Sequence, residues 1–252
     1  NRIVAEADVK ILTGQIKPHY FSGYSGGAKG LMPGVASAIS IGANHRIKVE
    51  PRARLGIINN NPTRMDMEEA ARMAGVDFIL NVVLNYRKEV VKVVAGDVIE
   101  AHREGVKIAR KVAELRFAEK ADIVIISETL PMSMNLYQAS KLIAPAAKLL
   151  NPGGVIILAG ECHEGTGQLD LVNKVIYEMG LKNYLPEEHT ILLVSGMSED
   201  TVKTTFCPKY VPSLEKALER AYEIAGKQAS ICIIPRGGDL IPITGDEAEV
   251  DW

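Results

Sequence analysis

The residues best suited to chemistry lie in one stretch, 18–34, which holds five glycines and two prolines together with His19 and Lys29. Lys29 carries an amine that becomes nucleophilic if burial or a nearby cation lowers its pKa, and that otherwise holds an anion. His19 within the stretch and His45 beyond it can transfer protons or bind a metal near neutral pH. The stretch therefore predicts a catalytic or binding site.

The glycines make this stretch a candidate cradle for a phosphate or carboxylate, because glycine accepts positive φ and lets backbone amides approach a ligand. Two nucleotide-binding motifs are excluded. A Walker A loop needs Gly-Lys followed by a hydroxyl residue, whereas the chain has Ala28-Lys29-Gly30, and the G-x-G-x-x-G pattern is also absent. A tight turn without function stays the alternative.

The stretch resembles the signature of the nickel-dependent lactate racemase family. The match runs from Pro18-His19 to Pro33-Gly34 and continues through Ala36-Ser37, Ile41 and Asn44-His45. A second match lies far downstream in the expected order, at Tyr137-Gln138-Ala139-Ser140-Lys141. Two motifs in order are more specific than either alone, and the resemblance extends over the whole chain.

The resemblance implies a racemase or epimerase of a small 2-hydroxy acid that works by hydride transfer to a nickel pincer nucleotide. This cofactor is a nicotinic acid derivative joined to a lysine through a thioamide. By position in the motif, Lys29 is the attachment lysine and His45 is the nickel ligand. The cofactor-contacting segment that precedes Lys29 consists of Tyr24, Ser25, Gly26 and Gly27.

The resemblance also implies the groups that act on the substrate. His19 is one of two general bases, Gln138 and Lys141 hold the substrate, and Tyr137 lines the cleft. The second base belongs to an N-terminal region that we expect upstream of Asn1, so that the chain begins within the first domain and is inactive if truncated. Proteins that synthesise or deliver the cofactor are the expected partners.

Composition describes an ordinary soluble protein of 252 residues with a net charge of -2. Nothing in it favours nucleic acid, and no apolar run reaches the roughly 18 residues of a membrane span. The three cysteines are odd in number and widely spaced, which indicates reduced thiols and a cytoplasmic location. Cys232 lies in an apolar run and is predicted to be buried in a strand. The oligomeric state is left open.

The first domain, 1–117, is predicted to place a strand over 9–16 before the glycine-rich stretch and a helix over 35–47 after it. Asn61 caps a further helix that ends at Gly75, and strands at 78–84 and 90–94 form a hairpin. Asp97 caps a helix through about residue 118. Three groups are interpreted as exposed surface: the basic cluster Arg46, Lys48, Arg52 and Arg54, the pair Glu68-Glu69, and His102 on the last helix.

The second domain, 118–252, alternates short apolar strands with helical segments. Strands are predicted at 123–126, 155–158, 190–194 and 231–234, with helices near 135–149, 169–179 and 213–225 and a turn at 151–154. This alternation predicts an α/β fold with an open, mostly parallel, Rossmann-like sheet covered by helices on both faces.

Ligands bind beyond the carboxyl ends of such strands. Gln138 and Lys141 follow the first strand, and their spacing of three puts both on one helical face, where an amide and a cation suit an anionic substrate. A polar outer helix face is the alternative. Residues 160–167 and 235–238 leave later strands and are candidates to close the same cleft, whereas adjacent Cys162 and His163 give no triad or metal-ligand pattern.

Two other functions stay open at this point. One is a nucleotide- or phosphate-binding enzyme that uses the glycine-rich loop without nickel, for which tight nucleotide binding without a lysine adduct would speak. The other is a non-catalytic regulatory or assembly protein that keeps the fold, for which intact folding without activity in the complete protein would speak.

Overall fold

The structure is a computed structural model that describes residues 1–207 and 209–245. It divides into two compact units, one formed by Asn1–Glu114 and the other beginning at Leu115. Residues 246–252, the end of the predicted second domain, lie outside the described residues.

The first unit is organised on a three-stranded sheet with the order β1-β4-β5. β1, Ile11–Gln15, runs parallel to β4, Phe78–Leu84, and β5, Val90–Gly96, runs antiparallel to β4 as the second strand of the predicted hairpin. α4, Glu100–Ala113, packs on β4 and β5. Alternate residues of β4 are buried beneath this helix, as a half-buried strand requires.

The remaining elements of the first unit surround the glycine-rich stretch. The short strands β2 (Pro18–His19) and β3 (Gly23–Tyr24) pair antiparallel, and a 3-10 turn follows at Gly27–Gly30. The helices are α1 (Arg2–Glu6), α2 (Ala38–Arg46) and α3 (Pro62–Met73), with a 3-10 turn at Ile47–Val49. Asn61 caps α3 as predicted, its side chain accepting from the amides of Thr63 and Arg64.

The helix predicted over 97–118 is shorter at both ends. The Asp97 carboxylate accepts hydrogen bonds from the amides of Ile99 and Glu100, which lower its pKa, but the helix itself begins at Glu100. It ends at Ala113 because Glu114 is already extended, and β6, Glu114–Phe117, follows directly.

The second unit is built on a four-stranded parallel sheet with the order β10-β7-β8-β9. These strands are β7 (Ala121–Ser127), β8 (Leu150–Ala159), β9 (Thr190–Val194) and β10 (Ile231–Ile234). A separate pair joins β6 to β11, Ile241–Thr244, a strand that the sequence pattern did not indicate. The predicted α/β class with a parallel sheet is confirmed.

Helices cover this sheet. α8, Leu214–Ala225, packs on a core formed by Ile123, Ile125, Val155 and Ile157, and α6, Ile143–Lys148, packs against the same strands. Along the chain, a π-helix at Leu171–Glu178 and α7, Glu199–Lys203, lie between α6 and α8.

Two predictions about the second unit hold only in part. The helix expected near 135–149 consists of α5, Leu136–Ala139, a 3-10 turn at Ser140–Leu142, and α6. The turn expected at 151–154 lies within β8, which shifts register against β7 at this point and absorbs Gly153 at φ +77°. Within the described ranges no helix is long and apolar enough to cross a membrane.

Candidate active site

The glycine-rich stretch brings Lys29 and His19 together. Lys29 Nζ lies 3.4 Å from His19 Nε2, and His19 Nδ1 lies 2.9 Å from Ser22 Oγ. The backbone amide of Ser22 donates to the same Nδ1 at 3.3 Å. Because an amide can only donate, Nδ1 acts as the acceptor, and the ring nitrogen that carries a proton in the neutral state faces Lys29.

The Phe21 ring is the centre around which the other candidate groups gather. Its centroid lies 4.6 Å from the His19 ring, 5.0 Å from the His45 ring and 5.5 Å from Lys29 Nζ. Lys48 Nζ lies 5.8 Å from the same centroid. The structure therefore gathers the predicted base, attachment lysine and metal ligand around one aromatic ring.

Lys48 corrects the interpretation of the basic cluster as exposed surface. Its side chain is fully buried, whereas Arg46 is exposed and Arg52 and Arg54 are half-buried. The 3-10 turn that follows α2 carries Lys48 inward, towards Phe21. The sequence interpretation rested on the usual exposure of clustered basic residues, and the inward direction that this turn gives to Lys48 was not visible in that pattern.

The loop is held from one side by Arg64 of α3, a residue that the sequence interpretation missed. Its fully buried guanidinium donates to the carbonyl oxygens of Ser22 at 3.4 Å, Gly26 at 3.2 Å and Tyr24. Burial lowers the pKa of Arg64 to about 10, an effect that the Glu68 charge opposes. The arginine keeps its charge at neutral pH and binds one side of the loop through charge-assisted hydrogen bonds.

The start of α3 holds the carbonyl oxygen of Phe21 as well. Asn61 Nδ2 donates to it at 2.9 Å and Thr63 Oγ1 at 3.1 Å. The same Asn61 side chain caps the helix through its oxygen. A helix cap that the sequence predicted for local reasons thus also fixes the residue at the centre of the site.

His102 on α4 is fully buried, which corrects its interpretation as a surface residue. Its Nε2 donates to the Ser25 carbonyl at 2.8 Å, and its Nδ1 accepts from Arg103 at 3.2 Å. These two partners specify the neutral ring with its proton on Nε2. Burial, reinforced by the positive charge of Arg64, holds the pKa of His102 well below its usual value.

Glu68 is likewise buried, contrary to the prediction for the pair Glu68-Glu69, of which only Glu69 is exposed. Its carboxylate receives two hydrogen bonds from Arg103, at 2.7 and 3.0 Å. The spacing offered a signal for both corrections. Glu68 lies four residues from Arg64 on one face of α3, and His102 shares the apolar stripe of Val106 and Ala109 on α4.

The segment expected to contact a cofactor makes mostly internal contacts. Tyr24 is fully buried, and the Ser25 hydroxyl donates to the Gln15 carbonyl at 2.7 Å. The Gly27 amide donates to Asn81 Oδ1 at 2.7 Å, from the middle of β4. A Cβ on Gly26 would lie 2.7 Å from that same oxygen, so the glycine permits the close approach. Cofactor contacts by this segment stay a prediction.

The second unit brings Gln138 and Lys141 into direct contact. Lys141 Nζ donates to Gln138 Oε1 at 2.6 Å and lies 4.5 Å from the centroid of the Tyr137 ring. Burial raises the pKa of Tyr137, which keeps the phenol protonated at neutral pH. The side chain of Asn135 caps this helical turn by accepting from the Gln138 amide at 3.1 Å. The predicted shared face is thus observed, while the residues' part in binding stays a prediction.

The cysteines have no reactive environment. All three are free, Cys162 and Cys207 are buried, and Cys232 is half-buried rather than buried as predicted. Burial raises the pKa of Cys162 to about 11 and that of Cys207 to about 12, so both remain thiols near neutral pH.

Two open grooves of about 320 and 370 Å³ flank α1 and are lined mainly by apolar side chains, including Val4 and Val35. Neither groove is lined by His19, Lys29 or His45. Across residues 1–207 and 209–245, no three His, Cys, Asp or Glu side chains are grouped so that they could hold a metal ion.

Comparison with known proteins matches a segment of each unit to the same family. The sequence model of the Lactate racemase N-terminal domain matches residues 1–56, which include His19, Lys29 and His45. That of the Lactate racemase C-terminal domain matches residues 117–187, which include Gln138 and Lys141. The chain belongs to the lactate racemase family. The resemblance inferred from the two motifs is confirmed.

Two curated members of the lactate racemase family align with nearly the whole chain. The lactate racemases of Thermoanaerobacterium thermosaccharolyticum and Lactiplantibacillus plantarum are 33% and 31% identical to it, over 96% of its length in each case. The chain spans 63% of each of these relatives.

Solved structures agree with the family assignment. The lactate racemase apoprotein from T. thermosaccharolyticum superimposes with a TM-score of 0.85 at 32% identity, covering 96% of this chain and 64% of that one. A Thermotoga maritima protein superimposes with a TM-score of 0.73 at 16% identity, over 97% of this chain and 69% of that one. The second match supports the fold alone.

Proposed function

We propose that the protein is a racemase or epimerase of a small 2-hydroxy acid such as lactate. The observation that carries the proposal is the contact of Lys29 Nζ with His19 Nε2 at 3.4 Å, in a loop whose Phe21 ring also contacts His45. This arrangement supplies an amine, a proton-transfer group and a metal ligand within one short segment. The names of the two curated relatives support the same reaction.

The cofactor that we propose is a nickel pincer nucleotide joined to Lys29 through a thioamide. The donor set fits such a group, because His45, which can ligate a metal, and Lys29, whose amine can form the attachment, both lie against the Phe21 ring. When bound, this cofactor supplies the hydride acceptor and donor for the substrate carbon. Lys29 holds it covalently and His45 ligates its metal.

The side chains move protons and orient the substrate. His19 takes the proton of the substrate hydroxyl and later returns it, acting as general base and then as general acid, which requires the tautomer whose Nε2 is unprotonated and whose Nδ1–H donates to Ser22 Oγ. Gln138 and Lys141 hold the substrate carboxylate and hydroxyl by an amide and a cation that already contact each other. Inversion requires a second base on the opposite face of the substrate.

The glycine-rich loop gives the phosphate-binding alternative little support. An anion cradle needs backbone amides that point at the ligand. The amides of Ser25 and Gly27 instead donate to the Lys17 carbonyl and to Asn81, at 2.8 and 2.7 Å.

We further propose that accessory proteins load the cofactor and that the protein is cytoplasmic. Both of these stay predictions.

The test is an intact mass with nickel analysis on the full-length protein, purified from its own host or loaded with the pincer cofactor. We expect a cofactor-sized adduct and bound nickel in the wild type, both lost in Lys29→Ala. Lys88→Ala, which changes an exposed lysine in the turn of the β4–β5 hairpin, should keep both.

Two outcomes would contradict the proposal. An unmodified, nickel-free wild type, under conditions that load a known family member, would favour nucleotide binding without a pincer cofactor. A fully loaded protein that leaves both enantiomers of every 2-hydroxy acid tested unchanged would favour the non-catalytic alternative.

A further inference from the structure

Two side chains of the site share one anchor in their backbone contacts. The Gly26 carbonyl accepts from the backbone amide of Lys29 at 3.3 Å and from Arg64 at 3.2 Å. The Ser22 carbonyl also accepts from Arg64, while the amide and hydroxyl of Ser22 contact His19 Nδ1. The Arg64 guanidinium therefore shares the Gly26 carbonyl with the backbone amide of Lys29. It also binds Ser22, the residue that contacts the His19 ring.

We propose that Arg64 is the positioning residue that sets the contact between His19 and Lys29, and that it does so through the planar fork of its guanidinium. Its donors reach the carbonyl oxygens of Ser22, Tyr24 and Gly26, which alternate along the loop. A lysine ammonium is a point charge on a flexible stem and cannot reproduce that fixed geometry. The inference rests on the proposed roles of His19 and Lys29.

The surroundings of Arg64 keep it in this orientation. Its guanidinium is fully buried, so water cannot replace it as the hydrogen-bond donor to the loop carbonyls. Loss of these hydrogen bonds would leave buried polar groups unpaired, which is unfavourable in free energy. Glu68, which balances its charge, is itself fixed by two hydrogen bonds from Arg103. Arg103 also donates to His102, and His102 in turn donates to the Ser25 carbonyl. Ser25 lies between Tyr24 and Gly26, whose carbonyls accept from Arg64. The loop is thus bound to a buried polar network that joins α3 to α4.

This network leaves the cofactor-facing chemistry to other residues, so Arg64 acts only through the groups that it positions. The prediction that separates positioning from a general structural role concerns Lys29 itself. In the unloaded protein, Lys29 should react with a small acylating reagent with a pH profile that differs from that of exposed Lys88, because the amine is half-buried beside His19. Peptide mass spectrometry of one digest gives both profiles.

Arg64→Lys should move the Lys29 profile to that of Lys88 and change the Lys29 rate by on the order of tenfold, the effect of losing a charge-assisted hydrogen bond. Hydrogen exchange of the loop amides should accelerate by a similar factor, with the strands of the second unit unchanged. Arg72→Lys, on the exposed face of the same helix, should change neither. Because lysine keeps the positive charge, these changes in Arg64→Lys would be due to loss of the planar guanidinium and not to loss of charge.

A second variant guards against loss of folding in Arg64→Lys. His102→Leu removes the neutral donor to the Ser25 carbonyl, together with the acceptor for Arg103, and should shift the Lys29 profile in the same direction by roughly threefold. An unchanged Lys29 profile in a folded Arg64→Lys protein, or in His102→Leu if the former does not fold, would overturn the proposal. Since no cofactor is present in these measurements, this failure is distinct from a failure to find nickel or racemisation.

Discussion

The loop around Lys29 and the helical turn around Lys141 present their lysines in opposite ways. The loop is fixed by Arg64, Asn81 and His102, which lie 38, 54 and 77 residues from the groups they bind. Lys141, in contrast, bonds a side chain three residues away on its own turn. The first arrangement depends on the folding of a whole unit, whereas the second needs little more than helical spacing.

The difference teaches where mutations should act. In the loop, a change distant in sequence should disturb structure and chemistry together, because buried charges and close backbone approaches depend on one another. In the helical turn, a change should alter the binding of an anionic substrate and leave stability almost untouched. Four substitutions test this contrast, and we order them by their expected effect on stability.

Gly23→Ala should have the largest effect. Gly23 adopts φ +72°, and an added Cβ would lie 2.0 Å from the Ile57 carbonyl oxygen, so the loop must move. We expect a loss of at least about 3 kcal/mol in the free energy of unfolding, measured by urea denaturation. Gly75→Ala is the matched control, since φ is +65° there with no atom within 4 Å, and it should cost about 1 kcal/mol. Equal losses would show that close packing of the loop is unimportant.

Glu68→Gln should follow, because it leaves Arg64 and Arg103 without the carboxylate between them. Breaking a buried ion pair is costly, and partial exposure of Arg103 reduces the cost, so we expect a loss of about 2 kcal/mol in urea denaturation. The neighbouring Glu69→Gln changes an exposed carboxylate and should stay within about 0.5 kcal/mol. A similar small effect for both would mean that the buried pair does not support the loop.

His102 should make the stability of the chain depend on pH. Its pKa is depressed in the folded state, so the unfolded state binds more protons and stability falls as pH drops below about 6.5. Between pH 6.5 and 5.5 the free energy of unfolding should fall by about 1 kcal/mol in the wild type. His102→Gln should abolish that decrease.

Aspartates whose pKa is lowered, such as Asp97 and Asp122, lose their contribution only at more acidic pH and do not interfere in this window. Urea denaturation at both pH values measures the effect. A wild type whose stability stays constant over this range would contradict the assignment of a neutral, buried ring.

Lys141→Met should have the smallest effect on stability, within about 0.5 kcal/mol, because its hydrogen bond to Gln138 is local. In the loaded, full-length enzyme, loss of the cation should raise KM for a 2-hydroxy acid by at least about tenfold. Lys120→Met, at an exposed position before β7, should change neither quantity. A large loss of stability in Lys141→Met would erase the contrast between the two regions.

Much of the fold follows from local patterns. The hairpin of β4 and β5, the Asn61 cap and the parallel strands are confirmed because periodicity and capping act over a few residues. The break between α5 and α6 and the register shift in β8 escaped prediction. Both depend on the packing of neighbouring elements, which a single segment does not encode.

By itself, the sequence determined which groups are available for chemistry and in what order, because His19, Lys29 and His45 lie within one recognisable motif. Their contacts around Phe21 were decided by the tertiary structure, as were the burial of Lys48 and the supporting roles of Arg64 and His102. The physical reason is that the burial of a polar side chain depends on hydrogen-bond partners contributed by distant segments. From local sequence alone, charged residues are predicted to be exposed. Only the folded chain supplies the partners that allow them to be buried.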